Sequence, residues 1–483
     1  MKPLPVVKRL LAAAIVGQTI LSGLPCSAQT GASASRPNII LILADDLGYG
    51  DLGCYGHPKF KTPCLDRMAA EGARLTRFYT PMPYCAPTRA SLMTGRYPFR
   101  CGMTNNPTPD AAPEADKLGL PQSEITLAQL FKKAGYATSC IGKWHLGHKP
   151  EFLPTRRGFD EYLGIPYSND MRPVHLLDGE RVVEYPVVQA TLTKRYTRRA
   201  IEFVERHKDR PFFLYLPHAM PHKPLACSEE FYKKSGDGLY ADVIAELDKQ
   251  IGELLAALKR FGLDERTLVV FTSDNGPWFG GSTGGLRGMK GVPWEGGYRV
   301  PCIARWPGRI PAGHVSYAPA VTMDLFTTAL KAAAIAPPAD RVIDGRDIMP
   351  LFTSGARSPH EAVFGMAGPR LVTARDERWK LHVLPPHDWK IGKPGERWID
   401  PRGPDGVTIL APYEQYQPTD FPGLRTGDAP KAMMLFDLQS DPGEQKDVAA
   451  EHPDIVARLK AAYDRMNKDV PPPPPVAPKG RKR

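Results

Sequence analysis

Polar side chains capable of acid–base or metal chemistry follow four apolar segments of the sequence. They are Asp45 and Asp46 after Asn38–Ala44, Lys143 and His145 after Tyr136–Gly142, His218 and His222 after Phe212–Leu216, and Asp274 and Asn275 after Thr267–Thr272. In an open α/β sheet, ligands bind beyond the carboxyl ends of the strands. The pattern therefore predicts that all four segments deliver polar groups to one rim of a sheet.

The oxygen-bearing members of this set indicate a metal site. Asp45, Asp46, Asp274 and Asn275 are hard ligands, and the three carboxylates would repel one another without a cation. This donor set predicts Ca²⁺, with Mg²⁺ as a substitute, rather than zinc. The alternative interpretation is that Asp45 and Asp46 only cap the next element.

A second reactive segment begins at Cys85. Pro87 suits the first turn of a helix, so Cys85 is expected at a helix N-terminus, where the dipole favours negative charge. Arg89 is expected on the same side of that helix. A buried structural cysteine beside a capped helix explains the segment equally well, and the residue types alone leave both interpretations open.

Alternating strands and helices are predicted to position these groups. Besides the four apolar segments, Val300–Arg305 is expected to form a strand. Two helices are expected, one that begins at Ser123 and is closed by Gly135, and one over Tyr240–Phe261. This alternation predicts an α/β fold with a large, mostly parallel sheet sandwiched by helices.

The pattern changes near residue 371, where a smaller C-terminal subdomain is predicted. Leu371–Ala374, Trp379–Val383 and Leu435–Leu438 favour an antiparallel sheet, and Pro453–Asn467 favours a helix. The predicted organisation is a signal peptide at 1–28, a catalytic α/β domain at 36–370, a C-terminal subdomain at 371–468 with a Pro- and Gly-rich insertion at 384–430, and a disordered basic tail at 469–483.

The chain ends account for most of the net charge of +11. Seven basic residues lie there: Lys2, Lys8, Arg9, Lys479, Arg481, Lys482 and Arg483. The body of the chain is thus only mildly basic, which argues against a nucleic-acid partner. Residues 1–28 have the basic start, apolar stretch and small-residue site of a secretory signal, and no other stretch is long and apolar enough to span a membrane.

Cysteine and asparagine usage bear on the compartment. Removing the signal takes Cys26 and leaves seven of the eight cysteines, an odd number that marks one for a special role. The other six allow up to three disulfide bridges. No Asn-x-Ser/Thr site with x other than Pro is present, so a bacterial periplasmic or extracellular location is predicted.

Six ordered motifs resemble the formylglycine-dependent sulfatases of the alkaline phosphatase superfamily. They are Arg36–Asp46, Cys85–Arg89 with Thr94–Arg96, Gly142–Gly147, Phe271–Gly276, Gly288–Gly297 and Leu435–Glu444. The resemblance runs from about residue 36 to 465, and Gly158–Asn169 narrows it to the arylsulfatase A and N-acetylgalactosamine-6-sulfatase branch. Thr88 stands where serine is commoner in the family, and it keeps the hydroxyl.

The resemblance implies a role for each site residue. Cys85 would be oxidised to formylglycine by a maturation enzyme, and the hydrated aldehyde would attack the sulfate ester. Asp45, Asp46, Asp274, Asn275 and the modified residue 85 would hold Ca²⁺. Arg89 and Lys143 would steady the hydrate, and His145 would take a proton from it. The sulfate would be bound by Lys143, Ser168, His222 and Lys290. His222 or Lys290 would protonate the leaving oxygen.

The implied activity is that of an exported sulfatase acting on carbohydrate sulfates and on aryl sulfates. Two alternatives stay open: a phosphodiesterase or phosphonate monoester hydrolase of the same superfamily, and a non-catalytic carbohydrate-binding relative. Five aromatic residues in the 384–430 insertion are candidates for stacking on sugar rings: Trp389, Trp398, Tyr413, Tyr416 and Phe421. The insertion is otherwise explained as a structural surface element.

Overall fold

An eleven-stranded sheet forms the centre of the fold in a computed structural model of the chain, which describes residues 36–109, 113–171, 174–389, 397–398, 419–420 and 426–472. The predicted signal peptide, most of the 384–430 insertion, including Tyr413, Tyr416 and Phe421, and residues 473–483 of the predicted tail lie outside the described residues.

The large sheet is mixed but mostly parallel. Its strands are β1 (Asn38–Ala44), β2 (Ala73–Tyr79), β3 (Ala137–Ile141), β4 (Glu161–Gly164), β5 (Leu176–Asp178), β6 (Arg181–Glu184), β7 (Phe212–Pro217), β8 (Thr267–Ser273), β9 (Arg299–Arg305), β10 (His314–Ser316) and β11 (Ala320–Val321). They are ordered β10-β2-β9-β8-β1-β7-β3-β4-β5-β6, and β11 pairs with β2. The central strands β8, β1, β7 and β3 run parallel, so their carboxyl ends share one edge.

Helices cover both faces of this sheet, as the sequence predicted. The helices are α1 (Pro63–Ala70), α2 (Cys85–Thr94), α3 (Pro98–Cys101), α4 (Pro113–Asp116), α5 (Leu127–Lys133), α6 (Leu192–Arg206), α7 (Leu239–Arg260), α8 (Glu295–Tyr298), α9 (Asp324–Ala332), α10 (Met349–Thr353) and α11 (Pro453–Asn467). In β1, Ile40 and Ile42 pack with residues of α1, α6 and α7, whereas Ile39 and Leu41 pack with residues of α2, α5 and α9. Side chains alternate across a strand, so an all-apolar strand fits a sheet covered on both faces.

A separate four-stranded antiparallel sheet follows in the chain. It consists of β12 (Val363–Ala367), β13 (Arg370–Arg375), β14 (Trp379–His382) and β17 (Met434–Asp437), in that order, and two short strands, β15 (Arg397–Trp398) and β16 (Thr419–Asp420), pair with each other. Leu459 and Tyr463 of α11 pack on the four-stranded sheet, and the Tyr463 hydroxyl donates to the Leu371 carbonyl at 2.8 Å. This arrangement confirms the predicted smaller sheet with a helix.

Two local predictions differ from the structure. Helix α5 begins at Leu127 rather than at Ser123, because Thr126 and Gln129 form a capping box that fixes the helix start. Strand β12 was not predicted from the sequence. It pairs with β13, which contains the first predicted strand of the subdomain, Leu371–Ala374.

The described cysteines are free thiols. Cys54, Cys64, Cys85, Cys101, Cys140, Cys227 and Cys302 form no disulfide with one another, so the bridges that the cysteine count allowed are not present among them. Among the described residues, no helix has the length and apolar character needed to cross a membrane.

A buried charge cluster connects the C-terminal sheet to the segment before β9. Glu444 accepts from Lys380 Nζ at 2.8 Å, from His382 Nε2 at 2.7 Å and, through its other oxygen, from the Glu295 backbone N–H at 2.6 Å. The Glu295 carboxylate pairs in turn with Lys380 at 3.2 Å and with Arg375. We call Glu295, Arg375, Lys380, His382 and Glu444 the inter-sheet charge cluster.

Candidate active site

The carboxyl ends of β1 and β8 bring four oxygen-bearing side chains together. The two strands are parallel and in register from Asn38 opposite Thr267 to Ala44 opposite Ser273. The residues that follow are therefore adjacent: the Asp46 N–H donates to Asp274 Oδ1 at 3.2 Å, and Asn275 Nδ2 donates to Asp46 Oδ1 at 2.7 Å. The side chains expected to meet at these strand ends thus lie next to one another.

The next strands along the rim place Lys143 beside the carboxylates. The Lys143 N–H donates to the Pro217 carbonyl at 2.7 Å, which ties the end of β3 to β7. Gly142 adopts φ 134°, and a Cβ at that position would lie 1.8 Å from the Pro217 oxygen, so this approach requires glycine. Lys143 Nζ then donates to Asp45 Oδ2 and, at 3.0 Å, to the Ser168 hydroxyl.

Cys85 is the first residue of α2 and points into the same site. Its thiol donates to Asp45 Oδ1 at 3.4 Å, and the following Ala86 N–H donates to Asn106 Oδ1 at 3.0 Å. Burial, followed by the negative charge of Asp45, raises the pKa of the Cys85 thiol well above its ordinary value. The expected helix-dipole stabilisation of a thiolate is therefore outweighed, and the side chain is a protonated thiol.

Three cations face the three carboxylates. Arg89 contacts Asp274 Oδ2 at 2.8 Å and Asp45 Oδ2 at 3.3 Å, and Lys290 Nζ lies 2.7 Å from Asp46 Oδ1. These pairs are almost fully buried, so each charge depends on its partners rather than on water.

The pKa values follow from this competition between burial and charge. Burial alone would raise the pKa of Asp45, but Lys143 and Arg89 lower it below the usual range. Burial raises the pKa of Asp274 to about 6, with a further contribution from Asp45. Burial would lower the pKa of Lys290, and the attraction of Asp46 raises it above its ordinary value instead.

Ser168 and His222 complete one wall of the site. His222 Nδ1 donates to its neighbour's carbonyl, Lys223 O, at 2.5 Å, which leaves Nε2 to accept from the Ser168 hydroxyl at 3.4 Å. The same Nε2 lies 3.6 Å from Asp46 Oδ2. Ser168 thereby links Lys143 to His222.

The structure separates His218 from His222. His218 is fully buried, lies 6.2 Å from the Tyr196 ring between centroids, and finds no hydrogen-bond partner for either ring nitrogen among the described residues. Burial lowers its pKa to about 3, so it is neutral. Of the two histidines after β7, His222 is the one that contacts Ser168 and Asp46.

His145 is held by an interaction that the sequence did not indicate. Its Nε2 donates to the Pro107 carbonyl at 3.2 Å, so Nδ1 of the neutral ring is an acceptor, and this buried atom has no partner within the described part of the chain. Burial and then Lys143 lower the pKa of His145 well below its ordinary value. Asn106 and Pro107 follow no motif, so their contribution was missed.

The donor set fits a hard divalent cation. Ligand atoms of Asp45, Asp46, Cys85 and His222 all lie within 4.8 Å of one another. Asn275 Oδ1 is buried and has no hydrogen-bond partner among the described residues, although it is a good ligand for Ca²⁺. Asp274 lies beside this group, since it accepts a hydrogen bond from the Asp46 N–H, and it also pairs with Arg89.

Comparisons with a family model and with curated proteins identify the family of this chain. The sulfatase family model matches residues 37–335. N-acetylgalactosamine-6-sulfatase of Canis lupus familiaris is 38% identical over 492 aligned residues, covering 95% of this chain and 91% of that protein. Arylsulfatase A of Homo sapiens is 36% identical over 470 residues, covering 89% and 87%.

A solved structure matches the whole fold. It comes from work on the metabolism of multiple glycosaminoglycans by Bacteroides thetaiotaomicron, and it superposes with a TM-score of 0.74 at 26% identity, covering 90% of this chain and 100% of that chain.

Proposed function

The chain belongs to the sulfatase family of sulfuric ester hydrolases, and from this premise we propose that it is an exported, formylglycine-dependent sulfatase that hydrolyses carbohydrate sulfates and also aryl sulfates. The observation that carries the proposal is the position of Cys85. Its buried thiol lies at the start of α2 against Asp45, within a site that holds three cations.

Formylglycine at residue 85, in its hydrated form, would supply a nucleophilic oxygen and a second hydroxyl through which the aldehyde is regenerated. Asp45, Asp46, Asp274, Asn275 and the modified residue would hold Ca²⁺, with Mg²⁺ as a substitute, and the cation would offset the charge of the attacking oxygen. The maturation enzyme that forms the aldehyde is the protein partner that this function requires.

The other side chains would bind the sulfate. Transfer of a sulfuryl group spreads negative charge over its oxygens, as phosphoryl transfer does, and fixed cations then provide most of the catalysis. Lys143 and Lys290 would supply such cations, and Ser168 and His222 would supply further polar contacts. Ser168 links Lys143 to His222, and Lys290 faces them across Asp46. Arg89 is held between Asp45 and Asp274, where it would steady the nucleophile.

Two residues would move protons. His145 offers an unprotonated, buried Nδ1, so it can accept a proton from the nucleophile. Lys290 is protonated, and either it or a protonated His222 would donate to the leaving oxygen.

Mass spectrometry and rate measurements test this function together. Peptides from the active protein should carry formylglycine at residue 85, and 4-nitrophenyl sulfate should be hydrolysed faster than phosphonate or phosphodiester probes. Cys85→Ala should abolish turnover while the protein stays folded. Cys101→Ala is the matched control, since Cys101 is an equally buried free thiol whose Sγ bonds to the Pro98 carbonyl instead.

Two results would contradict the proposal. Turnover by Cys85→Ala in a preparation free of background sulfatase would exclude the nucleophile. Faster hydrolysis of the phosphonate or phosphodiester probe would favour the alternative activity of the superfamily.

A further inference from the structure

A cavity of about 570 Å³ opens beside the proposed nucleophile, and none of the residues proposed above as sulfate ligands lines it. Tyr84, Asn106, Gly291, Arg370 and His387 are among its lining residues. Its volume lies within the range of roughly 300–1,000 Å³ that is typical of small-molecule sites.

The wall of the cavity is continuous with the reacting groups. Tyr84 directly precedes Cys85, Asn106 holds the Ala86 N–H at 3.0 Å, and Gly291 directly follows Lys290. A molecule whose sulfate lies between Cys85 and Lys290 would therefore extend its alcohol portion into this cavity.

The segment around Gly291 is fixed by aromatic and imidazole donors. His387 Nε2 donates to the Gly291 carbonyl at 3.0 Å, and Trp389 Nε1 donates to the Lys290 carbonyl at 2.7 Å. Gly291 adopts φ 88°, and a Cβ there would lie 2.5 Å from the Trp389 ring and 3.0 Å from the Tyr84 hydroxyl. Two aromatic side chains thus approach the backbone beside Lys290, and one of them, Tyr84, lines the cavity and offers a flat surface suited to a sugar ring.

The lining of the cavity includes a positive charge, Arg370, and no acidic side chain among the described residues. Arg370 begins β13 at the turn from β12 and is exposed at the edge of the cavity. Within the described part of the chain, its guanidinium forms no hydrogen bond or ion pair, and no aspartate or glutamate lines the cavity. An arginine fork without a carboxylate partner is well suited to bind a carboxylate or sulfate group.

We propose that this cavity binds the alcohol portion of the ester as a sugar that carries a second anionic group, and that Arg370 pairs with that group. The inference rests on the proposed sulfatase function and adds a substrate class to it. The second anion is either a uronate carboxylate or another sulfate, and both present a pair of oxygens that can accept from the two N–H groups of the guanidinium.

The test compares Arg370→Ala, Arg370→Lys and the control Arg357→Ala on four substrates. Arg357 is also exposed, but it lies at another cavity on the protein. The substrates are 4-nitrophenyl sulfate, a neutral monosulfated disaccharide, a disaccharide with a uronate beside the sulfated sugar, and a disaccharide with a second sulfate.

Arg370→Ala should lower kcat/KM about 10- to 100-fold on one or both of the anionic disaccharides, mainly through KM, because a charged hydrogen-bonded pair is lost. Arg370→Lys should recover part of that loss. Both variants should stay within about twofold of the parent enzyme on 4-nitrophenyl sulfate and on the neutral disaccharide. The arm that responds identifies the anion. Equal losses on neutral and anionic disaccharides, or no loss on any, would overturn the proposal.

A binding measurement separates this inference from the activity itself. Calorimetric titration with the desulfated uronate disaccharide and with its neutral counterpart needs no turnover. If the uronate is the partner of Arg370, Arg370→Ala should weaken binding of the desulfated uronate disaccharide and not of its neutral counterpart. If the second sulfate is the partner, the same loss of affinity should appear with a product that keeps that sulfate. Absence of activity on every sulfate ester would reject the proposed function, whereas selective binding that depends on Arg370 would still support the cavity assignment.

Discussion

Replacing Glu444 by glutamine should destabilise the protein by about 3 kcal/mol at pH 7. Glutamine keeps the size of the side chain but removes the charge that pairs with Lys380 at 2.8 Å and that strengthens the hydrogen bond from His382 Nε2 at 2.7 Å. Lys380 is fully buried, and Glu295, at 3.2 Å, is the one carboxylate partner it would keep among the described residues. Removing one member of a buried ion pair typically costs about 3–5 kcal/mol.

The pKa of Glu444 gives an independent estimate of the same quantity. Burial alone would raise this pKa, but Lys380 and His382 lower it from 4.5 to about 2. At about 1.4 kcal/mol for each pH unit, the shift corresponds to about 3 kcal/mol of stabilisation by the ionised carboxylate. Because the folded pKa is the lower one, this contribution is present above pH 4.5 and is lost as the pH falls toward 2.

Equilibrium urea unfolding of parent and variant at pH 7, 5 and 3 measures the difference directly. The gap in unfolding free energy should be largest at pH 7 and should shrink below pH 4.5. Glu451→Gln is the matched control, since Glu451 makes an exposed pair with Lys446 at 2.9 Å and such pairs contribute about 0–1 kcal/mol. The reasoning would be refuted by a cost at Glu444 no larger than at Glu451, or by a gap that persists unchanged at pH 3.

Further predictions concern the site. Chelation should lower activity and thermal stability together, and added Ca²⁺ should restore both, because a ligand that binds the folded protein and not the unfolded chain stabilises the fold. Stoichiometric zinc without calcium in active protein would contradict the donor assignment. Lys290→Ala should reduce rates on the order of 10²–10⁴-fold on sugar sulfates and less on activated aryl sulfates, which need little protonation of the leaving oxygen. His145→Ala should slow both substrate classes alike, and near-normal rates for Lys290→Ala on both would assign the leaving-group acid to His222.

The strands that build the site were predictable because burial on both faces removes alternation. In the segment Asn38–Ala44 every residue after Asn38 is apolar, and the segment forms β1 with the same bounds. Helix α11 likewise has the predicted bounds, Pro453–Asn467. For such segments the local pattern and the tertiary environment agree.

Strand β14 shows where a local pattern misleads. Trp379 and Leu381 alternate with Lys380 and His382, which is the pattern of a strand with one face in water. In the structure both faces are buried, because Glu444 meets the polar one. The partner lies beyond the 384–430 insertion, so no window of sequence contains both sides of the contact.

The side-chain pairing within the site was also beyond the sequence. The strand ends indicated which residues meet, but the pairing of Arg89 with Asp274 joins helix α2 to the residue after β8, far apart in the chain. The choice between His218 and His222 depends on side-chain direction after the strand, and only His222 reaches Ser168. The metal and catalytic roles of all these residues stay predictions.

The burial of Cys85 limits when the proposed modification can occur. The thiol is 1% exposed, and the proposed oxidation requires an enzyme to reach it, so this step has to precede folding. Part of the buried site around Cys85 comes much later in the chain: Asp274, which follows β8, and Lys290 both lie close enough for their charges to act on the thiol. At about 5–20 residues per second, synthesis from Cys85 to Lys290 takes on the order of ten seconds or more. The time available for modification is therefore set by the order of synthesis, because Cys85 is made well before Asp274 and Lys290, which complete the buried site.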